Sequence, residues 1–286
     1  MNQDFEFIRL VGDERRVGSS LSSVSRHWQG KGERFLFVSP HDDDAALGGG
    51  LLIQHALQQK IPVDVLIVTN GMMGYCTLAE KKTIVAKRYA ETMKSYTLLG
   101  VKKENILWLN FPDCSLAYYQ GRREAHMEDA EETIIEGHSG LQNTFTYYIR
   151  KLRPTQCFIP TDRDLHPDHK YTYNEFAISI FHACGEIWPE LGAPLKKVPY
   201  LTELAVYCDF PSPPQLRMTA SEKFFEQKLN AILAFQSQKQ IKSLVDSVRK
   251  NGAVEFFRNV QFNLYNPTKY RYRFSEENHL FNAKYS

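Results

Sequence analysis

Short apolar runs that alternate with stretches of helical periodicity restrict this chain to few folds. Runs of this kind occupy Arg34–Ser39, Pro62–Thr69, Asn105–Asn110 and Gln156–Ile159. Phe35 to Val38 in the first run are continuously apolar, which is typical of a strand buried on both faces of a parallel sheet. We therefore predict an α/β fold, with a Rossmann-like, mostly parallel sheet and helices on both of its faces.

The connecting segments predict where the helices lie. One helical pattern follows Gly48–Gly50, another covers about Ala79–Leu99 and ends at Gly100, and a third runs through Arg150 after a polar loop at Cys114–Gly140. A glycine directly after a helix is a common C-terminal cap.

The pattern is weaker beyond Thr172. We predict a strand within Leu201–Phe210, a capping box formed by Thr219 and Glu222 before a helix to about Gln236, and a helix at Gln238–Lys250. The predicted organisation is a loose lead-in at residues 1–33, an α/β domain at 34–260, and an extension at 261–286 that packs on the same domain.

Composition excludes several classes of protein. No run of about eighteen apolar residues is present, so we predict no membrane span. The net charge is +2 with no basic stripe, so we predict no nucleic-acid partner. The five cysteines are widely spaced and odd in number, which argues against a disulfide framework or a cysteine-rich zinc site. Residues 1–16 lack the apolar core of a secretory signal, so we predict a cytoplasmic protein.

The first predicted strand ends in a cluster of one histidine and three aspartates, His41-Asp42-Asp43-Asp44. Ligands of open α/β sheets bind beyond the carboxyl ends of the strands. Adjacent carboxylates repel one another, and a divalent cation removes that cost. The alternative is that these aspartates only cap the helix that follows.

The fourth predicted strand ends in a second cluster, which runs from Asp162 to His169 and contains His166 and His169. Two histidines three residues apart in a loop with a proline can face one point. The alternative for this second cluster alone is an exposed polar loop. Because two such clusters end separate strands of one predicted sheet, together they predict a metal site. We assign the other histidines to the surface or to packing.

These clusters resemble the two signatures of the PIG-L/LmbE-like family of zinc-dependent N-acetylglucosaminyl deacetylases. That family shows His-Pro-Asp-Asp-Glu after its first strand and His-Pro-Asp-His after a later one, and the latter is present here at residues 166–169. Weaker similarity covers Arg88 with Glu91, Phe111-Pro112-Asp113, and the late Ser237-Gln238. The resemblance extends over about residues 34–260.

The resemblance implies roles for six residues of the two clusters and for two residues outside them. His41, Asp44 and His169 are the expected zinc ligands, although Fe²⁺ suits the same donors. Asp43 is the expected general base, His166 the residue that stabilises the oxyanion or acts as an acid, and Asp168 a residue that orients His166. Arg88 and Asp113 resemble residues that bind sugar hydroxyls, and the alternative for both is an ordinary ion pair or exposed charge.

The chain departs from the family pattern at three positions. Asp42 replaces the proline of the first signature and Ala45 replaces its glutamate; neither position is a metal ligand in the pattern. Gly71 is followed by Met72 and Met73, where the family often has a glutamate. We therefore expect Met72 to contact the substrate and to favour an apolar group linked to the sugar; the alternative is that both methionines pack in the core.

We therefore predict a zinc-dependent hydrolase that removes the acetyl group from an N-acetylated amino sugar containing N-acetylglucosamine. Its partner would be this small molecule, with a homo-oligomer as a further possibility. One alternative is a zinc amidase acting on a non-sugar acyl amide, which the methionines favour. Another is a catalytically silent metal- or sugar-binding module, against which the presence of Asp43 and His166 argues.

Overall fold

The structure of this protein is a computed structural model that describes residues 4–25, 28, 30–74 and 77–274. His27 and His279, two of the histidines assigned to the surface or to packing, lie outside the described residues. Cys76, one of the five cysteines, and the last twelve residues of the C-terminal extension also lie outside them. Within the described part of the chain, no helix has both the length and the apolar character needed to cross a bilayer.

The described residues contain one large sheet with helices on both faces, so the predicted α/β fold is confirmed. The strands are β1 Phe5–Val11, β2 Glu14–Gly18, β3 Phe35–Ser39, β4 Val63–Thr69, β5 Ile106–Phe111, β6 Arg123–Glu124, β7 His138–Ser139, β8 Gln156–Pro160, β9 Tyr200–Leu204, β10 Leu216–Ala220 and β11 Val254–Asn259. The helices are α1 Leu21–Val24, α2 Asp44–Gln58, α3 Ile84–Leu98, α4 Leu141–Leu152, α5 Pro167–His182, α6 Glu222–Leu233, α7 Ile241–Asn251 and α8 Pro267–Arg273.

Nine strands form the sheet in the order β2-β1-β10-β11-β9-β8-β3-β4-β5, while β6 and β7 pair separately. The five strands from β9 to β5 are parallel. The chain passes from β3 to β4 on one side, whereas β8 pairs with β3 on the other. The strand order therefore reverses at β3, and a crevice opens beyond the carboxyl ends of β3 and β8.

The central strands are buried because each face of the sheet has its own core. Phe35 and Phe37 of β3 point into one cluster together with α2, α6 and α7. Leu36 and Val38 point into the other, together with α4 and α5. This alternation explains why the run at 35–38 is apolar throughout: both sets of side chains are buried.

Helix α2 lies very close to the sheet, and glycines permit that approach. A Cβ atom at Gly49 would lie 2.7 Å from Phe37 Cε1, and one at Gly48 would lie 2.3 Å from Leu204 Cδ1. Larger residues would push the helix away from the sheet. The glycines therefore set the position of the amino end of α2, where Asp43 and Asp44 lie.

Two sequence expectations about the periphery need correction. The described part of the lead-in at residues 1–33 is not loose throughout, because β1 and β2 join the same sheet through the pairing of β1 with β10. Thr219 lies inside β10, and Ser221 occupies the N-cap of α6 without a side-chain cap bond, so the predicted capping box is wrong. In the C-terminal extension, Phe262 contacts Phe181 at a ring-centroid distance of 4.9 Å and α8 is exposed along 267–271, so the packing of the extension on the domain stays a prediction.

Candidate metal centre

The amino end of α2 and the amino end of α5 bring three predicted ligands together. His41 Nδ1 lies 3.1 Å from His169 Nε2 and 3.4 Å from Asp44 Oδ2, and Asp44 Oδ2 lies 3.0 Å from His169 Nε2. Bonds of about 2.1 Å to a tetrahedral ion place ligand atoms about 3.4 Å apart. All three side chains are buried. The spacing and the donor types therefore fit a divalent cation.

The remaining ring nitrogens of both histidines face carboxylates. His169 Nδ1 lies 3.2 Å from Asp164 Oδ2. His41 Nε2 lies 3.4 Å from Asp113 Oδ1 and 3.5 Å from Asp168 Oδ2. Histidines that bind metals commonly donate their other N–H to a carboxylate, which fixes the tautomer and the orientation of the ring. The surroundings of the site therefore match those of a metal centre.

Burial and charge act in opposite directions on the ionisation of these groups. Burial favours the neutral carboxyl of Asp44, but the charge of His169 and hydrogen bonds from both rings outweigh it and hold the pKa of Asp44 below its usual value. Burial lowers the pKa of His169, yet Asp44 and Asp164 raise it to about 9. Burial also opposes the charged form of His41, whose pKa is nevertheless raised by Asp113, Asp168 and Asp44.

Asp43, the neighbour of Asp44 in the chain, is buried, and one of its two carboxylate oxygens accepts a hydrogen bond. Its Oδ2 accepts a hydrogen bond of 2.7 Å from Gln238 Nε2. Its Oδ1 has no hydrogen-bond partner within the described residues. One oxygen is therefore held in place while the other is able to accept a proton.

His166 lies at the N-cap of α5 and is partly exposed. Its Nδ1 accepts from the backbone N–H of Asp168 at 3.2 Å, so a neutral ring has its proton on Nε2. Burial and the nearby charge of His41 lower the pKa of His166, which favours that neutral form. Its ring lies edge-on to His41, with centroids 4.4 Å apart.

The carboxylate of Asp168 contacts residues other than His166. Its Oδ2 accepts from Cys114 N–H at 2.7 Å and lies beside His41 Nε2. The backbone N–H of Asp168 therefore holds His166, and the Asp168 carboxylate lies beside His41. An oxygen of this carboxylate also lies within 4.8 Å of a ring nitrogen of His166, so its role in orienting His166 stays a prediction.

The predicted substrate-binding residues have different environments. Arg88 is 4% exposed and forms an ion pair with Asp42, so the ordinary ion pair describes it. Asp113 is buried between His41 and the backbone N–H of Met73, which donates to it at 3.1 Å. Met72 is 45% exposed and Met73 is 60% exposed, which excludes packing of both in the core.

Three residues at the site had no assigned role in the sequence analysis: Asp164, Gln238 and Tyr207. Tyr207 follows β9, and its ring lies 5.4 Å from that of His169. The charge of Asp43 is the largest cause of a raised pKa for Tyr207. The position of Tyr207 just after a parallel strand was the available signal, because the ends of such strands share one edge.

The fold and the His/Asp triad define a class: α/β proteins with a candidate metal centre at the switch point of a parallel sheet. Residues 36–180 match the family model described as PIG-L, GlcNAc-PI de-N-acetylase. The chain belongs to this family, which confirms the resemblance drawn from the two signatures.

Comparison with individual proteins agrees with this membership. The diacetylchitobiose deacetylase of Thermococcus kodakarensis is 31% identical over 144 residues, which are 49% of this chain and 46% of that protein. The match thus spans about half the length of this curated relative.

Two solved structures have the same fold. An N,N'-diacetylchitobiose deacetylase of Pyrococcus horikoshii superposes with a TM-score of 0.62 at 24% identity, covering 80% of this chain and 84% of that one. The 4-carboxy-2-hydroxymuconate hydratase of Pseudomonas putida superposes with a TM-score of 0.59 at 15% identity, covering 82% of this chain and 98% of that one. The fold therefore accommodates more than one reaction, and the function must be argued from the site.

Proposed function

We propose that this protein is a zinc-dependent hydrolase that removes the acetyl group from an N-acetylated amino sugar containing N-acetylglucosamine. The observation that carries the proposal is the convergence of His41 Nδ1, Asp44 Oδ2 and His169 Nε2. Asp43, the neighbour of Asp44 in the chain, has one oxygen without a hydrogen-bond partner among the described residues. Three protein donors leave one tetrahedral position open, as at catalytic zinc sites. Fe²⁺ is the alternative ion, because the same donors suit it.

The substrate class rests on two lines of support. The family description and the archaeal relative both refer to compounds of acetylated glucosamine. The site itself supports an amide hydrolase, since it combines a base, a hydrogen-bond donor and a candidate Lewis-acid position in one crevice.

Each residue of the site has a distinct chemical task in this proposal. A bound divalent cation supplies Lewis acidity and makes water a stronger nucleophile at neutral pH. Asp43 takes the proton from the attacking water with its free oxygen and later passes it to the leaving amine. His166 donates from Nε2 to the developing oxyanion. Asp113, Asp168 and Asp164 hold the two ligand imidazoles in orientation.

The exposed methionines extend this proposal to the group linked to the sugar. Met72 and Met73 lie on the loop that contacts Asp113, next to His41. An apolar surface there buries an apolar group favourably and leaves polyol hydroxyls without partners. We therefore expect N-acetylglucosamine with an apolar substituent to be the better substrate. The cytoplasmic location and the homo-oligomer stay predictions.

Acetate release from a panel of acetylated amines tests the proposed function. The panel includes N-acetylglucosamine, diacetylchitobiose, an apolar N-acetylglucosaminide and a non-sugar acetamide, each with zinc-loaded and chelator-treated protein. We expect release only from the sugars and only with metal, and none from His169→Ala, which should also lose its metal. Release confined to the non-sugar amide would identify an amidase, and bound metal without any turnover would identify a silent binding module.

A further inference from the structure

A buried ion pair connects the metal-binding loop to α3. Asp42 is 1% exposed and accepts two hydrogen bonds from Arg88, one of them from Nε at 2.8 Å. Thr92 Oγ1 lies 3.0 Å from the same carboxylate and 2.7 Å from the Arg88 carbonyl, so its one proton is shared between two acceptors. The hydroxyl of Tyr96 donates to the backbone carbonyl of Asp42 at 2.9 Å. Because residues 88, 92 and 96 are four apart, they form one face of α3 directed at Asp42.

The guanidinium of Arg88 is also covered from the side of β4. A Cβ atom at Gly71 would lie 3.4 Å from Arg88 Nε, and one at Gly74 would lie 3.2 Å from Arg88 NH1. The backbone of the loop after β4 therefore packs against the guanidinium. A sugar hydroxyl would have to displace this loop or Asp42 to reach it.

Asp42 lies between residues that need accurate placement. Its neighbours in sequence are His41 on one side and Asp43 with Asp44 on the other, and His41 N–H donates to Asp44 Oδ2 at 2.7 Å. In the related signature this position is a proline, which restricts the backbone by its ring. In this chain, the contacts from α3 restrict the same position.

We propose that Asp42 and Arg88 form a positioning pair that fixes the loop carrying His41, Asp43 and Asp44. Arg88 then influences the reaction through this loop and does not bind the sugar. This inference rests on the proposed deacetylase function for its kinetic part, while its effect on metal binding is independent of the substrate.

A double-mutant cycle tests the pair. Arg88→Met leaves a buried carboxylate unpaired, Asp42→Asn leaves a buried guanidinium unpaired, and the double variant removes both charges. We expect each single variant to lower kcat by about a hundredfold, the scale of a misplaced catalytic group. Each should also weaken zinc binding by about tenfold, measured by competition with a chromogenic chelator, with KM little changed. The double variant should regain most of both losses.

Controls separate positioning from a general loss of folding. Lys87→Met removes the neighbouring cation of α3, which pairs with Glu80 at the surface, and should leave both readouts unchanged. Arg88→Lys retains the charge without the two-pronged geometry, so it should fold where Arg88→Met does not and still weaken zinc binding.

The outcomes that overturn the proposal are specific. A raised KM in Arg88→Met, with kcat and zinc affinity unchanged, would make Arg88 a substrate-binding residue. If the losses of kcat and of zinc affinity in the double variant were the sum of those in the single variants, the two side chains would not be coupled. If the wild-type protein releases no acetate, the proposed function fails, and the cycle measured on zinc affinity alone decides the pair: coupling supports it and additivity overturns it.

Discussion

At the residue scale, Asp43 and Asp44 are adjacent carboxylates with different partners. Asp44 faces both imidazoles of the triad, whereas Asp43 contacts Gln238 and keeps one oxygen free. We expect Asp43→Asn to retain its metal while kcat falls by about a hundredfold or more, because the base is lost. Asp44→Asn should instead lose metal. Elemental analysis beside steady-state kinetics checks both, and wild-type activity in Asp43→Asn would exclude it as the base.

Met72 tests substrate choice at the same scale. Its exposure means that a charged replacement does not have to enter the core. We expect Met72→Glu to leave the melting temperature nearly unchanged and to reduce the preference for an apolar N-acetylglucosaminide over a polyol conjugate, measured as a ratio of kcat/KM values. A wild-type enzyme that already prefers the polyol conjugate would contradict this expectation.

The environment of Arg88 illustrates what the sequence leaves undetermined about single residues. The two signatures predict the ligands because each signature is local, within four or five residues. The partner of Arg88 is 46 residues away, and only the docking of α3 against the loop after β3 brings them together. A sequence position that resembles a sugar-binding arginine therefore becomes an ion pair through tertiary contact.

At the scale of elements, α2 contacts a buried ion pair that is separate from the His/Asp triad. Glu255 of β11 accepts from the backbone N–H groups of Leu51 and Leu52 at 2.8 and 3.1 Å, and Lys228 Nζ lies 2.7 Å from the same carboxylate. Both charged side chains are nearly fully buried. This pair connects α2 to α6 and to the antiparallel part of the sheet.

Removing one member of this pair should destabilise the whole domain. We expect Lys228→Met to lower the free energy of unfolding by about 3–5 kcal/mol, since Glu255 would be left buried and unpaired. The double variant Lys228→Met with Glu255→Gln should lose less free energy of unfolding than Lys228→Met alone. Arg249→Met, which breaks an exposed pair with Glu226, is the matched control and should change little. Urea unfolding curves compare the three, and equal effects of Lys228→Met and Arg249→Met would contradict the argument.

The elements differ in how well the sequence predicts them. Strands β3 and β4 are predictable because they are buried on both faces and most of their residues are apolar. Strands β1, β10 and β11 are mixed in polarity, with Arg9, Arg217 and Arg258 among their residues. Their strand character depends on antiparallel pairing between distant segments, such as Phe5 with Ala220, which no local pattern specifies.

At the scale of the whole molecule, His55 joins the amino-terminal strands to the α/β core. Its ring on α2 contacts Phe5 and Phe7 of β1, and its Nε2 accepts from the N–H of Leu21 at 3.3 Å. The side chain is fully buried, and burial lowers the pKa of His55 from 6.5 to about 4. Between pH 4 and 6.5, this imidazole is therefore neutral in the folded chain and protonated in the unfolded chain.

This difference predicts how stability changes with pH. The pKa of His55 is lower in the folded chain than in the unfolded chain. Its contribution to the free energy of unfolding is therefore complete above pH 6.5 and is lost as the pH falls from 6.5 toward 4. Its full size is about 3 kcal/mol, at 1.36 kcal/mol for each pKa unit. We expect the melting temperature of the wild type to fall more steeply over this range than that of His55→Gln. Parallel curves for the two proteins would contradict the assignment.

The two halves of the triad come from loops far apart in the chain, since His41 and His169 are separated by 128 residues. The first loop carries His41 and Asp44 and the second carries His169, so the complete triad forms only once β8 has paired beside β3. During refolding, a metal-sensitive dye changes its signal when the protein binds the ion. That change would report the pairing of β3 with β8 and not the formation of either strand alone. An ion added before that step would meet only partial, weak sites, so early addition should do little to speed recovery of the native protein.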